Sequence, residues 1–79
     1  MSSWDKLISR LYSLDRSLRF EELEKILIRL GYRESQPSGG SSHFVFRKSD
    51  RRTITIPKHN PIKPVYINIV KDAAERELR

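Results

Sequence analysis

The runs His43-Phe44-Val45-Phe46-Arg47 and Thr53-Ile54-Thr55-Ile56, joined by Lys48-Ser49-Asp50-Arg51-Arg52, say most about how this chain folds. Side chains of a strand alternate between faces, so Phe44 and Phe46 share one side and His43, Val45 and Arg47 the other. Pairing Phe46 with Ile54 and Phe44 with Ile56 in an antiparallel hairpin puts four apolar side chains on one face. The same register sets Val45 opposite Thr55 and His43 opposite Pro57, and leaves a five-residue connection, Lys48 to Arg52. If the phenylalanines are core, the histidine is at the surface. Just upstream, Gly39-Gly40-Ser41-Ser42 is a small-residue turn that delivers His43 to the first strand position.

Before the hairpin the period is helical. Phe20, Leu23, Leu27 and Leu30, with Ile26 beside them, predict an amphipathic helix over residues 19–30. Glu21, Glu22 and Glu24 fall in its first turns and Arg29 near its end, as the macrodipole favours. Gly31 followed by Tyr32 predicts a Schellman stop, with Tyr32 folding back on the last turn. Trp4, Leu7, Ile8, Leu11 and Leu14 predict a shorter helix over residues 2–14, where Ser2 and Asp5 resemble a capping box. Asp15-Arg16-Ser17 interrupts the pattern.

Residues 32–36 predict a first strand, and residues 37–41 a loop by composition. Pro57, Pro61 and Pro64 mark an extended, irregular segment. Residues 65–77 predict a closing helix, although Val65, Ile67, Ile69 and Val70 give its first half a poor helix propensity. Helix, helix, three antiparallel strands, helix is the order of an α+β domain. Helices cover one face of its three-stranded sheet, and the other face is open.

Seventy-nine residues make one small domain, which buries only about 60% of its unfolded surface. No cysteine is present, so neither a disulfide nor a thiolate metal site supplements the core. No apolar run approaches the roughly 18 residues of a membrane span, and Met1 is followed by polar Ser2 and Ser3 rather than a signal sequence. Cytoplasmic residence, with no membrane association, is the expectation.

The formal charge of +6 is uneven. Residues 43–63 carry Arg47, Lys48, Arg51, Arg52, Lys58 and Lys63 against Asp50 alone. The flanking segments are close to balanced. A basic block inside an otherwise balanced chain points to a polyanion or an acidic partner, and it sets His43 beside most of the excess charge.

Only His43 and His59 are available as imidazoles, sixteen residues apart and with no carboxylate close by in sequence. Neither a protein-only metal site nor a cofactor is expected. Ser41 and Ser42 lack a nucleophile elbow and an orienting acid. His43 fits general acid–base work, because an imidazole exchanges protons near neutral pH. Beside bound RNA it could take the 2′-hydroxyl proton, so that the oxygen attacks the neighbouring phosphorus, while nearby cations neutralise the phosphoryl oxygens. One imidazole cannot serve both ends of that reaction, so the leaving group's proton comes from water or another group. The plainer alternative is a surface histidine at a strand end.

Arg47, Lys48, Arg51 and Arg52 are the first candidates for phosphate contact, then Lys58 and Lys63, with Ser42 next to the histidine. Their alternative is a charged hairpin tip that guards the strand edge. His59, within Pro57-Lys58-His59-Asn60-Pro61, reads mainly as a conformational or interface residue and second as a contact for substrate or partner. Trp4, Tyr32, Phe44 and Phe46 read as core. Tyr66 could face the sheet or a partner.

Taken in order, Leu30-Gly31-Tyr32, Gly39-Gly40-Ser41-Ser42-His43-Phe44-Val45-Phe46-Arg47 and Thr53-Ile54-Thr55-Ile56-Pro57, with His59-Asn60-Pro61 and a closing helix, resemble the HicA family. The resemblance covers residues 19–77. It implies a fold like the double-stranded RNA-binding domain and an mRNA interferase, a metal-independent endoribonuclease acting as the toxin of a toxin–antitoxin pair. It further implies that His43 is catalytic, and that the partners are mRNA and a HicB-type antitoxin, at least partly acidic, that covers the site. Ser41 stands where the family usually has glycine, and Phe44 replaces a second histidine common in many members. Residues 1–18 are then an N-terminal helical extension, and residues 19–79 a HicA-like α-β-β-β-α domain, within one compact unit. The extension is a candidate for covering apolar surface, or for a homo-oligomer or antitoxin interface. Two other functions stay open: a non-catalytic RNA-binding module, and a basic domain that docks an acidic protein.

Overall fold

The computed structural model describes residues 3–36 and 42–78. Helix α1 (Ser3–Tyr12) and helix α2 (Phe20–Arg29) are followed by strands β1 (Arg33–Ser35), β2 (His43–Arg47) and β3 (Ile54–Pro57), then by helix α3 (Pro64–Glu77). Ser2, expected in a cap, and residues 37–41, expected as a loop and small-residue turn, lie outside the described residues.

Local chemistry sets several of the helix ends. The Glu22 carboxylate reaches back to the backbone N–H of Arg19 (3.0 Å), satisfying one of the orphan donors at the start of α2. At the other end, Gly31 has φ 99°, the Tyr32 N–H donates to the Leu27 carbonyl and the Gly31 N–H to that of Ile28. This is the expected Schellman stop. Helix α1 ends the same way: Asp15 N–H donates to Arg10 O and Leu14 N–H to Leu11 O, with φ 57° at Leu14 instead of a glycine. Pro64 opens α3 at a position where its missing N–H costs nothing, which offsets the β-branched run that follows.

The sheet is antiparallel in the order β1-β2-β3. The β2–β3 register pairs Phe46 with Ile54, Val45 with Thr55, Phe44 with Ile56 and His43 with Pro57, as the alternation requires. The connection is one residue longer than expected, because Thr53 lies outside β3. A turn closes it: Arg51 N–H donates to Lys48 O, with Asp50 at φ 62°.

Phe46 and Ile56 meet Phe20, Leu23, Ile26 and Leu27 of α2 and Ile67, Val70, Ala73 and Ala74 of α3 in a single buried cluster. Leu7 and Leu11 of α1 belong to the same cluster. Complete burial of a leucine such as Leu11 stabilises by about 1.5–3 kcal/mol, so α1 is built into the interior rather than laid on it. Its Arg10 ties the corner together, pairing with Asp15, Glu22 and the Ser17 hydroxyl. Trp4 is half-buried rather than core, and the Arg29 guanidinium lies over its ring at 4.9 Å. Phe44 is also only half-buried; its ring tilts against Phe20 at 5.2 Å. The fold is α+β with an open three-stranded sheet and an N-terminal helix, consistent with the double-stranded RNA-binding-domain class.

Candidate active site

His43 is exposed at the first position of β2, on the face away from the core. The pairing does not stop at His43 and Pro57. Lys58 N–H donates to Ser42 O (2.7 Å), which extends the ladder by one bond. His59 N–H then turns back to Pro57 O (2.9 Å), a three-residue turn that bends the chain off the strand. One residue on, Asn60 is anchored to the start of α2. Its Oδ1 accepts from the Phe20 N–H (2.9 Å) and its Nδ2 donates to Glu21 (3.3 Å). His59 therefore sits between two fixed points, and the segment cannot swing without breaking the start of α2.

These bonds shape a groove of about 360 Å³ lined by Ser42, His43, Pro57, His59, Ile62, Lys63 and Tyr66. That volume falls within the range of small-molecule sites, about 300–1,000 Å³. Ile62 is buried and forms apolar wall, Tyr66 is half-buried, and Ser42, His43, His59 and Lys63 are exposed. The groove thus offers two imidazoles, one ammonium and two hydroxyl groups at one end of the hairpin. Among the described residues, no set of three or more histidine, cysteine, aspartate or glutamate side chains gathers to hold a metal ion.

The hairpin separates what the sequence sets side by side. His43 opens β2 and Arg47 closes it, so the cationic turn lies roughly 13 Å away at about 3.3 Å per residue. The expectation that the turn cations flank His43 is corrected on this point. Two of them have other partners. Lys48 Nζ donates to the Leu30 carbonyl at the end of α2 (2.6 Å) and to Glu77 (2.5 Å), and Arg51 Nε pairs with the second oxygen of Glu77 (2.5 Å). The Glu77 carboxylate, with 8% of its side chain exposed, is held below the usual glutamate range by the Lys48 and Arg51 hydrogen bonds. Lys48 also passes so close to Gly31 that a Cβ there would lie 3.2 Å from its Nζ.

Arg47 and Arg52 are exposed, and neither forms an ion pair among the described residues. Lys58 leans over the Phe44 ring at 5.9 Å, towards Glu21 and Glu34, and is not among the groove residues. Lys63, second in order on sequence grounds, is the lysine that lines the groove. A larger hollow of about 510 Å³ lies around Arg51, Arg52 and Arg76, away from His43.

Two residues stand outside the site candidates named from sequence, although the sequence leaves Tyr66 open to either the sheet or a partner. Tyr66 lines the groove because the first turn of α3 meets the open end of the hairpin, a long-range fact without a local signal. Arg33 stands directly opposite Arg47 across β1 and β2. Strand parity could have found it, since both belong to the exposed face. Like charges in that relation are destabilising unless an anion neutralises them.

Neither a comparison with curated proteins nor one with solved structures gives a match. The family model described as the HicA toxin of bacterial toxin–antitoxin systems matches residues 20–75, from the first residue of α2 into the last turns of α3. The chain belongs to the HicA toxin family, and is the toxin of a toxin–antitoxin pair with a cognate antitoxin as partner.

Proposed function

We propose that this toxin is a metal-independent endoribonuclease that cleaves mRNA in the cytoplasm with His43 as general base. The observation that carries the reading is the exposed His43 imidazole on a groove shared with Ser42 and Lys63. RNA seated there presents a 2′-hydroxyl to the imidazole, and loss of its proton makes the oxygen a nucleophile for the adjacent phosphorus. The 2′-O–P bond forms as the P–O5′ bond breaks, leaving a 2′,3′-cyclic phosphate and a free 5′-hydroxyl. Charge that builds on the non-bridging oxygens is met by the Lys63 ammonium and the Ser42 hydroxyl.

The strand then continues over the open face of the sheet towards Arg47 and Arg52. There these cations hold phosphates further along the strand from the cut. Lys58 contributes from the sheet edge. The antitoxin is read as a HicB-type, partly acidic protein that inhibits by covering His43 and this cationic face, leaving the toxin folded.

The test is cleavage of a labelled single-stranded RNA in excess chelator. Wild type is expected to cut it, and His43→Ala to lose at least about 100-fold in rate with an unchanged thermal midpoint. Equal rates for the two proteins would remove His43 from the chemistry. The distance between His43 and the cationic turn favours a second reading, a non-catalytic RNA-binding module. That module would bind the same RNA without turnover, and its affinity would depend on Arg47 and Arg52 rather than on His43.

A further inference from the structure

We propose that His59 is the general acid of this site, delivering the proton that the departing 5′-oxygen needs while His43 takes the proton from the 2′-hydroxyl. The inference rests on the ribonuclease reading of the groove and deepens it.

In-line transfer at phosphorus places the entering 2′-oxygen and the leaving 5′-oxygen on opposite sides of the phosphoryl group, so no single side chain reaches both. The protein holds just two histidines, and the fold brings both to one groove although sixteen residues separate them. They arrive by independent supports. His43 is fixed by the β2–β3 ladder, and His59 by its turn onto Pro57 and by the Asn60 anchor on α2. That anchor explains the turn-rich segment better than a purely conformational role for His59. It fixes the chain on both sides of a residue whose own side chain is left exposed at the groove. The other groove residues able to hold a proton are Lys63 and Tyr66. Imidazole suits the acid's role best, because it is the side chain that readily gives and regains a proton near neutral pH.

The protons balance. His43 gains one from the 2′-hydroxyl, and protonated His59 loses one to O5′. The 2′-O–P bond forms and the P–O5′ bond breaks. Water returns both imidazoles to their starting states, with no net change in the enzyme.

The experiment compares two RNAs of one sequence, cut at the site mapped with wild type. One is natural; the other carries sulfur in place of the bridging 5′-oxygen, so that its leaving thiolate needs no proton. His59→Gln and His59→Asn are expected to cut the natural RNA about 10²–10⁴-fold more slowly than wild type, yet the sulfur-bridged RNA within a few-fold of it. Retained cleavage of the second RNA also shows that the variants are folded. His43→Ala is expected to be slow on both. If the His59 variants lose equally on the two RNAs, or lose on neither, His59 is not the acid. If wild type cuts neither RNA, the ribonuclease reading itself has failed; if His43→Ala cuts both at the wild-type rate, His43 is not the base; in either case the inference falls.

Discussion

Glu34 is the carboxyl group most perturbed by its surroundings. Strand parity puts it on the Phe46 side of the sheet, where burial raises its pKa to about 7, helped by a hydrogen bond and charge repulsion from Glu24 and opposed by Lys58. One of its oxygens is buried without a hydrogen-bond partner among the described residues. The folded protein therefore holds more protons than the unfolded chain between the ordinary 4.5 and about 7, and this group's contribution to stability falls as pH rises through that window. Glu34→Gln removes the cost. It is expected to raise the thermal midpoint at pH 8, by about 4–8 °C for each kcal/mol recovered, and to change it little at pH 4. Thermal scans of both proteins at the two pH values check this, and a gain of the same size at both would exclude ionisation as the cause. The alternation of β1, in register with Phe46, aims Glu34 inward. That Glu24 of α2 waits there is a contact between elements, and no local pattern contains it.

At the scale of the element, α1 departs most from what a short surface helix would be. Its apolar stripe is spent on the common core through Leu7 and Leu11, so those side chains are not available for self-association. Its end is less well made than its body. Leu14 has φ 57° and is 38% exposed, in a conformation that costs a branched residue about 1–2 kcal/mol. Glycine avoids that cost but loses roughly 0.5–1 kcal/mol to the greater freedom of the unfolded chain. Leu14→Gly is therefore expected to stabilise by up to about 1.5 kcal/mol, read as a higher denaturant midpoint with an unchanged slope. A lower midpoint would mean that Leu14 packs better than its exposure suggests. The helix itself was legible from the spacing of Leu7 and Leu11. Its Schellman ending was not, because leucine carries no signal for a left-handed position.

Across the whole molecule, positive charge is spread over distinct sites with distinct tasks. Lys48 and Arg51 clamp the end of α3 to the hairpin through Glu77, while Arg33 and Arg47 oppose each other on the open face. Arg33→Gln and Arg47→Gln are each expected to weaken binding of single-stranded RNA and to reduce the salt slope of log affinity by about 1. Filter binding across a salt series measures this; an unchanged slope for both would place the RNA elsewhere. Composition pointed to a cationic surface for a polyanion or an acidic partner. It could not divide structural cations from available ones, because that depends on whether Glu77, more than twenty-five residues away in sequence, folds back to meet them.

Alternation and helical spacing relate residues two to four positions apart, and such short-range patterns carried the element order, the hairpin register, the Gly31 stop and the exposed place of His43. The meeting of His43 with His59, Lys63 and Tyr66 arose otherwise. It follows from packing α3 across the end of the hairpin and from a hydrogen bond between Phe20 and Asn60, forty positions apart. Contacts over such separations are selected by the burial of the whole core at once, so they exist only after the chain has folded.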